Sequence, residues 1–198
     1  QAGYQLQPVA QDLKASGYLF NYRGHRSIGE KISHAVNGWE QLRKGRQVTG
    51  DTARKIYAFM SINDRVKRGF KKLPTLDDED LITLVELQEH HGLVATDDMI
   101  WHEAMDKIPE TDRAYIIAML RRGEKFNAEP RITVSTIHGS KGGEADNVVL
   151  FTDLSPAADN QMRNNPDDMH RVFYVGVTRT KNNLYIVEPE DLSRSYDL

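Results

Sequence analysis

Residues 131–151 read RITVSTIHGSKGGEADNVVLF. Two runs rich in β-branched residues, Ile132 to Ile137 and Asn147 to Phe151, flank a glycine-rich segment from His138 to Glu144. Runs of this length and composition fit short strands buried on both faces, as in a parallel sheet. Leu184 to Val187 reads as a third strand, entered through an Asn182-Asn183 turn. The stretch between, Arg171 to Thr178 (RVFYVGVT), carries two opposed signals. Its β-branched and aromatic content favours a strand. Pro166-Asp167-Asp168 just before it is a helix start. Strands alternating with helices predict an α/β layer with a parallel sheet.

Upstream, Tyr18-Leu19-Phe20 is a short strand candidate. A helix should follow, because Ile28, Ile32, Val36, Trp39 and Leu42 form one apolar stripe, with Ser27 as cap and Gly45 as stop. Residues 48–130 read as helical throughout. Asp51 or Thr52 is expected to cap a helix with Ile56, Phe59 and Met60; Asp77 caps one with Leu81, Leu84 and Leu87. Asp97 opens a helix carrying Ile100, Trp101 and Met105, and Thr111 one carrying Tyr115, Ile116 and Met119. Trp39 and Trp101 fit apolar stripes and are expected in cores rather than as base-stacking platforms. The chain therefore divides into residues 1–47, a helical insert 48–130, and residues 131–198.

The 198 residues can bury a core without staples, and the formal net charge is −3. Residues 1–75 hold 14 basic and 5 acidic side chains, residues 76–130 hold 5 and 14, and residues 131–198 hold 7 and 10. The basic share is dense at Lys67, Arg68, Lys71 and Lys72. Charge alone fits a polyanion-binding face and basic helix faces that merely meet water equally well. There is no cysteine, which excludes disulfides, thiolate metal sites and thiol catalysis. No apolar run approaches the roughly 20 residues that span a bilayer, so no membrane partner is expected and the cytoplasm is the expected location. The chain opens on Gln1 and is expected to be part of a longer protein.

A self-sufficient catalytic site is not found. There is no G-x-x-x-x-G-K-[ST] loop to cradle a triphosphate, and Gly139-Ser140-Lys141-Gly142-Gly143 lacks its spacing. His102-Glu103-Ala104-Met105-Asp106 lacks the second histidine of a zinc-protease motif. What remains is arginine beside aromatic or glycine-rich strand ends: Arg23 in Asn21-Tyr22-Arg23-Gly24, and Arg179 in Thr178-Arg179-Thr180. Each is also compatible with an ordinary surface or salt-bridged role.

Three stretches, in order, resemble the C-terminal motifs of superfamily 1 DNA helicases of the UvrD/Rep/PcrA type. Asn21-Tyr22-Arg23-Gly24 is similar to motif IV, N-Y-R-S before a helix. Thr136 to Glu144 (TIHGSKGGE) is similar to motif V, T-x-H-x-x-K-G-x-E. Arg171 to Thr180 (RVFYVGVTRT) is similar to motif VI, R-x-x-Y-V-A-x-T-R-A. The resemblance implies the second RecA-like half of an ATPase, lacking its own P-loop, with an α-helical insert in place of a larger 2B subdomain. It also makes Arg171 to Thr178 helical, against propensity.

The same resemblance implies roles. Tyr22 stacks on the adenine of ATP, Arg23 and Arg179 reach the γ-phosphate, Glu144 takes the ribose, and Gly142 belongs to the same nucleotide site. Thr136 and His138 lie on the DNA-backbone side, and Lys67, Arg68, Lys71 and Lys72 are candidates for DNA phosphates. ATP would come with Mg2+ held by the N-terminal RecA-like half, so the chain alone is expected to hydrolyse nothing. Single-stranded or duplex DNA is the implied partner, in replication or repair. Gly143 and Ala145 replace a Leu and a Phe, Gly24 replaces Ser and Thr180 replaces Ala, removing packing volume but sparing the implied ligand contacts. These variants and the short insert resemble virus- or plasmid-encoded relatives. A non-catalytic adaptor that keeps helicase-like motifs is the alternative, although an adaptor has no need of two phosphate-seeking arginines.

Overall fold

The computed structural model describes residues 6–198, as two compact units. One comprises residues 6–13, Phe20–His25 and Pro130–Leu198; the other comprises Lys14–Leu19 and Arg26–Glu129. Among the described residues no helix is long and apolar enough to cross a membrane.

The chain opens with α1 (Leu6–Ala15), then β1 (Phe20–Tyr22) and β2 (His25–Arg26), neighbours joined by a two-residue turn. In the helical unit, α2 (Glu30–Arg43) buries Val36, Trp39 and Leu42, as the apolar stripe predicts. Its N-cap is Gly29, without a side-chain cap; Ser27 instead shares a 2.6 Å hydrogen bond with the Tyr115 hydroxyl. That hydroxyl also donates to Tyr18 O at 2.6 Å, and burial raises its pKa against the opposing Ser27 bond. Both tryptophans are buried, and the Trp39 indole donates to Met99 O at 2.9 Å.

The expectation of helix throughout 48–130 fails, and the expected caps and bounds of its helices shift. Val48–Thr49 (β3) pairs antiparallel with Leu81–Ile82 (β4), so Leu81 is a strand residue and Asp77 caps nothing. The cap of α3 (Gly50–Ala58) is Thr49, whose hydroxyl accepts from Thr52 N, rather than Asp51 or Thr52. The cap of α4 (Leu84–His90) is Thr83, in a capping box with Glu86, whose carboxyl pKa is lowered chiefly by the Thr83 hydroxyl. Then α5 shrinks to Trp101–Ala104, with Glu103 accepting from Ile100 N, and α6 (Glu110–Arg122) starts after Pro109 rather than at Thr111. Helices α2 and α3 approach closely at Gly38, where an added Cβ would lie 2.3 Å from Thr52 Cγ2.

In the α/β unit, β5 (Ile132–Val134) runs parallel to β1, with Tyr22 opposite Val134. β6 (Ala145–Phe151) runs parallel to β7 (Thr180–Val187), with Val149 opposite Tyr185. Between them lie α7 (Pro156–Asn164) and α8 (Pro166–Val177), the long crossover that a parallel pair needs. The α/β class and parallel pairing agree with the sequence. The single continuous sheet does not: the described parallel strands form two separate pairs, β1–β5 and β6–β7. β5 is short because the chain turns at once, Thr136 and Ile137 giving their carbonyls to Ser140 N. Asn182 and Asn183 lie inside β7 rather than in a turn before it. Arg171 to Val177 is helical, against its strand propensity, because α8 packs Met169 and Phe173 with Leu150, Leu154, Ala158 and Tyr196 in one core.

One charged side chain shapes the helical unit. The Lys71 ammonium donates to the carbonyls of Tyr57, Ala58 and Met60, closing the C-terminal end of α3. Burial lowers its pKa, with Lys107 and Lys31 pushing the same way and Asp106 opposing. Replacing Lys71 by Met leaves those carbonyls without their donor and should cost about 2 kcal/mol in urea denaturation. An unchanged midpoint would remove this role from Lys71.

Candidate functional site

Tyr22 ends β1, and Arg23-Gly24 makes the turn into β2. Both turn residues are left-handed, Arg23 at φ 50° and Gly24 at φ 86°. A two-residue hairpin of this kind needs positive φ at both positions, which glycine adopts freely and arginine does not. Arg23 N donates to Val134 O at 3.0 Å, which fixes the turn against the end of β5. The arginine side chain has no carboxylate partner among the described residues, and its guanidinium lies 5.6 Å from the Tyr22 ring centroid. Tyr22 is half-buried and Arg23 is exposed. Because β1 and β5 are parallel, this turn and the start of the glycine-rich segment share the carboxyl end of one strand pair. That end is where open α/β sheets bind ligands.

The segment after β5 is a tight turn built from its own polar groups. The Thr136 hydroxyl accepts from Gly139 N at 3.1 Å, His138–Ser140 make a single 3₁₀ turn, and Gly143 N donates to Ser140 O at 3.0 Å. Gly142 sits at φ 84° with open space where a Cβ would be, so only its backbone conformation calls for glycine. His138 and Glu144 are exposed. Glu144 meets Lys181 at 3.4 Å in a solvent-exposed pair of small energetic weight.

Arg179 follows the last turn of α8 and immediately precedes β7. Its Nε donates to Val175 O at 3.0 Å, Nη1 to Gly143 O at 3.2 Å and Nη2 to Thr178 Oγ1 at 3.2 Å. All three acceptors are neutral, so the charge is held by geometry and not cancelled by a carboxylate. A cation also suits the negative end of the α8 dipole. Ala145 N donates to Arg179 O at 2.9 Å, so Arg179 and Glu144 are adjacent at the start of the β6–β7 pair. Behind them, Gly176 lets α8 lie against Ile137 and Leu150, where an added Cβ would come to 3.2 Å of each side chain.

Tyr22, Arg23, Thr136, His138, Gly142, Glu144 and Arg179 therefore all belong to the α/β unit. Lys67, Arg68, Lys71 and Lys72 belong to the helical unit. Of these four, Lys67, Arg68 and Lys72 are exposed with no ion pair among the described residues, whereas the Lys71 charge is spent on α3. Sequence reasoning missed Lys181, although its place two residues after Arg179 is the signal that would bring it beside Glu144. The described residues contain no group of three side chains able to hold a metal ion.

The left-handed arginine supplies a direct check. Arg23→Gly relieves the backbone while deleting the charge, and should raise stability by up to about 1 kcal/mol in urea denaturation. A destabilised variant would mean that the arginine side chain makes a contact outweighing its strain.

A family model described as the UvrD-like helicase C-terminal domain matches residues 26–190. No curated protein and no solved structure matches the chain. The matched span contains the glycine-rich segment, α8 and Arg179, and it begins two residues after Gly24. It also contains Arg26–Glu129, the larger part of the helical unit. With well over half of its residues in that match, the chain belongs to the UvrD-like helicase C-terminal domain family.

Proposed function

We propose that this chain is the C-terminal part of an ATP-dependent DNA helicase, and that it supplies cations and a nucleoside-binding surface to an ATP site completed by an N-terminal RecA-like half. The observation that carries the reading is Arg179: a half-buried guanidinium held by three neutral oxygens beside the glycine-rich segment, with its charge uncancelled. An arginine so held is preorganised to meet charge that develops on a transferring phosphoryl group. Arg23 is the second cation, exposed on a turn whose left-handed backbone is strained for arginine, as functional sites often are.

The remaining roles follow from chemistry. The Tyr22 ring offers a π face to adenine, at present shared with the Arg23 guanidinium. The Glu144 carboxylate is an acceptor suited to ribose hydroxyls, and Lys181 is the partner it exchanges for them. Gly142 keeps the backbone open beside it. The Thr136 hydroxyl, already accepting from Gly139 N, retains its proton for a phosphate oxygen of a DNA strand, and His138 stands in the same turn. On the helical unit, Lys67, Arg68 and Lys72 are the free charges for DNA phosphates.

In this reading the magnesium ion that accompanies ATP is held by the N-terminal half. On the same reading the chain alone turns over no ATP, because its sequence carries no G-x-x-x-x-G-K-[ST] loop to cradle the triphosphate. Its contribution is electrostatic: Arg23 and Arg179 act when closure brings them to the γ-phosphate and excludes water.

In the intact protein, Arg179→Ala should lower DNA-stimulated ATP turnover by about 10³-fold or more, the scale set by arginine fingers, with DNA affinity within about twofold. Measured by steady-state phosphate release and DNA titration, turnover within tenfold of the unaltered protein would remove Arg179 from the reaction.

A further inference from the structure

The residues after the family match carry a device that the motifs do not contain. From Asp191 the chain makes a 3₁₀ turn (Leu192–Arg194) and returns antiparallel along the segment that follows β6. Leu154 N donates to Arg194 O at 2.8 Å and Tyr196 N to Thr152 O at 2.9 Å. The hydroxyls of Thr152 and Ser195 share a third bond of 3.0 Å. These bonds fix the strap to the body of the α/β unit before Tyr196 is reached.

Tyr196 then points into the face of α8. Its ring stacks on Phe173 with centroids 3.8 Å apart and planes 6° from parallel, and its hydroxyl shares a 2.6 Å hydrogen bond with His170 Nδ1. Both rings are buried, at 8% and 1% exposure, in a core with Met169, Leu150, Leu154 and Ala158. A flat stack resists both rotation and sliding of the helix, since either uncovers ring area. One turn further along the same face of α8, Gly176 lies against Ile137 and Leu150. At the end of that helix Val175 O receives the Arg179 Nε.

We infer that Tyr196 is a positioning residue for Arg179: by stacking on Phe173 and bonding His170, the strap fixes the rotation of α8 and so the direction of the guanidinium at its end. The inference rests on the proposed action of Arg179 at the γ-phosphate. Because it acts through that phosphate, it distinguishes a nucleoside triphosphate from a diphosphate and leaves diphosphate binding alone.

The test uses the intact protein and the ratio of its affinities for a non-hydrolysable ATP analogue and for ADP. Tyr196→Leu should lower that preference by about fivefold or more, keep ADP affinity within about twofold, and lower it no further in an Arg179→Ala background. A merely structural loss would instead change both affinities, and would recur in the Arg179→Ala background; either result overturns the inference, as does a smaller drop in preference. An Arg179→Ala protein that keeps the full preference overturns the reading of Arg179 itself, and the positioning role with it. Should Tyr196→Leu lose its cooperative melt, Tyr196→Phe with Thr152→Val loosens the strap without emptying the core. There, a preference lowered about threefold or more supports the role, and a smaller change overturns it.

Discussion

The hydrogen bonds from one guanidinium, that of Arg179, join the last turn of α8 to the glycine-rich segment thirty-six residues earlier. Several features of the α/β unit serve that junction. α8 must lie close to Ile137 and Leu150, which Gly176 permits. The glycine-rich segment must present the Gly143 carbonyl, which its 3₁₀ turn and the Thr136 hydroxyl arrange. Since the three acceptors of Arg179 are neutral, the junction holds a positive charge in place without cancelling it. A carboxylate in any of those positions would give a tighter bond and a spent cation.

The two short parallel pairs supply the frame. In each, loops that matter leave from one end: the Arg23-Gly24 turn and the glycine-rich segment from the carboxyl end of β1–β5, Glu144 and Arg179 from the start of β6–β7. The helical unit is organised differently. Many of its charges are answered locally, as in Arg54 with Asp78 at 2.6 Å, Lys55 with Asp51 at 2.6 Å and Arg43 with Glu40 at 3.0 Å. The opposed charge of residues 1–75 and 76–130 is thus partly internal bookkeeping. Lys67, Arg68 and Lys72 stand outside it.

Much of the α/β unit was legible in the sequence. The two β-branched runs around the glycine-rich segment are β5 and β6, and the motif resemblance outweighed strand propensity to make Arg171 to Val177 helical. What stayed hidden has physical reasons. Thr49, Asp51 and Thr52 are all competent helix caps, and only the pairing of β3 with β4 selects Thr49. The Arg23-Gly24 turn was masked because arginine is a poor left-handed residue, so no propensity signals it. Lys71 was counted with its basic neighbours because a sequence does not reveal which ammonium meets a helix end. Asp191 to Tyr196 has no period at all; its order comes from bonds to Thr152 and Leu154 and from one aromatic stack. The roles of Tyr22, Glu144 and the two arginines came from resemblance, to which the geometry adds the uncancelled charge.

The central claim is that α8, the glycine-rich segment and the Arg23 turn respond to a γ-phosphate. Hydrogen exchange of the intact protein measures this directly, comparing a non-hydrolysable ATP analogue with ADP. The expected result is slowed exchange at residues 21–24, 142–145 and 176–180 with the triphosphate; with the diphosphate, exchange is near-unliganded at 176–180 and intermediate at 21–24, where adenine still covers Tyr22. Equal exchange at both arginine segments with the two nucleotides would contradict the account.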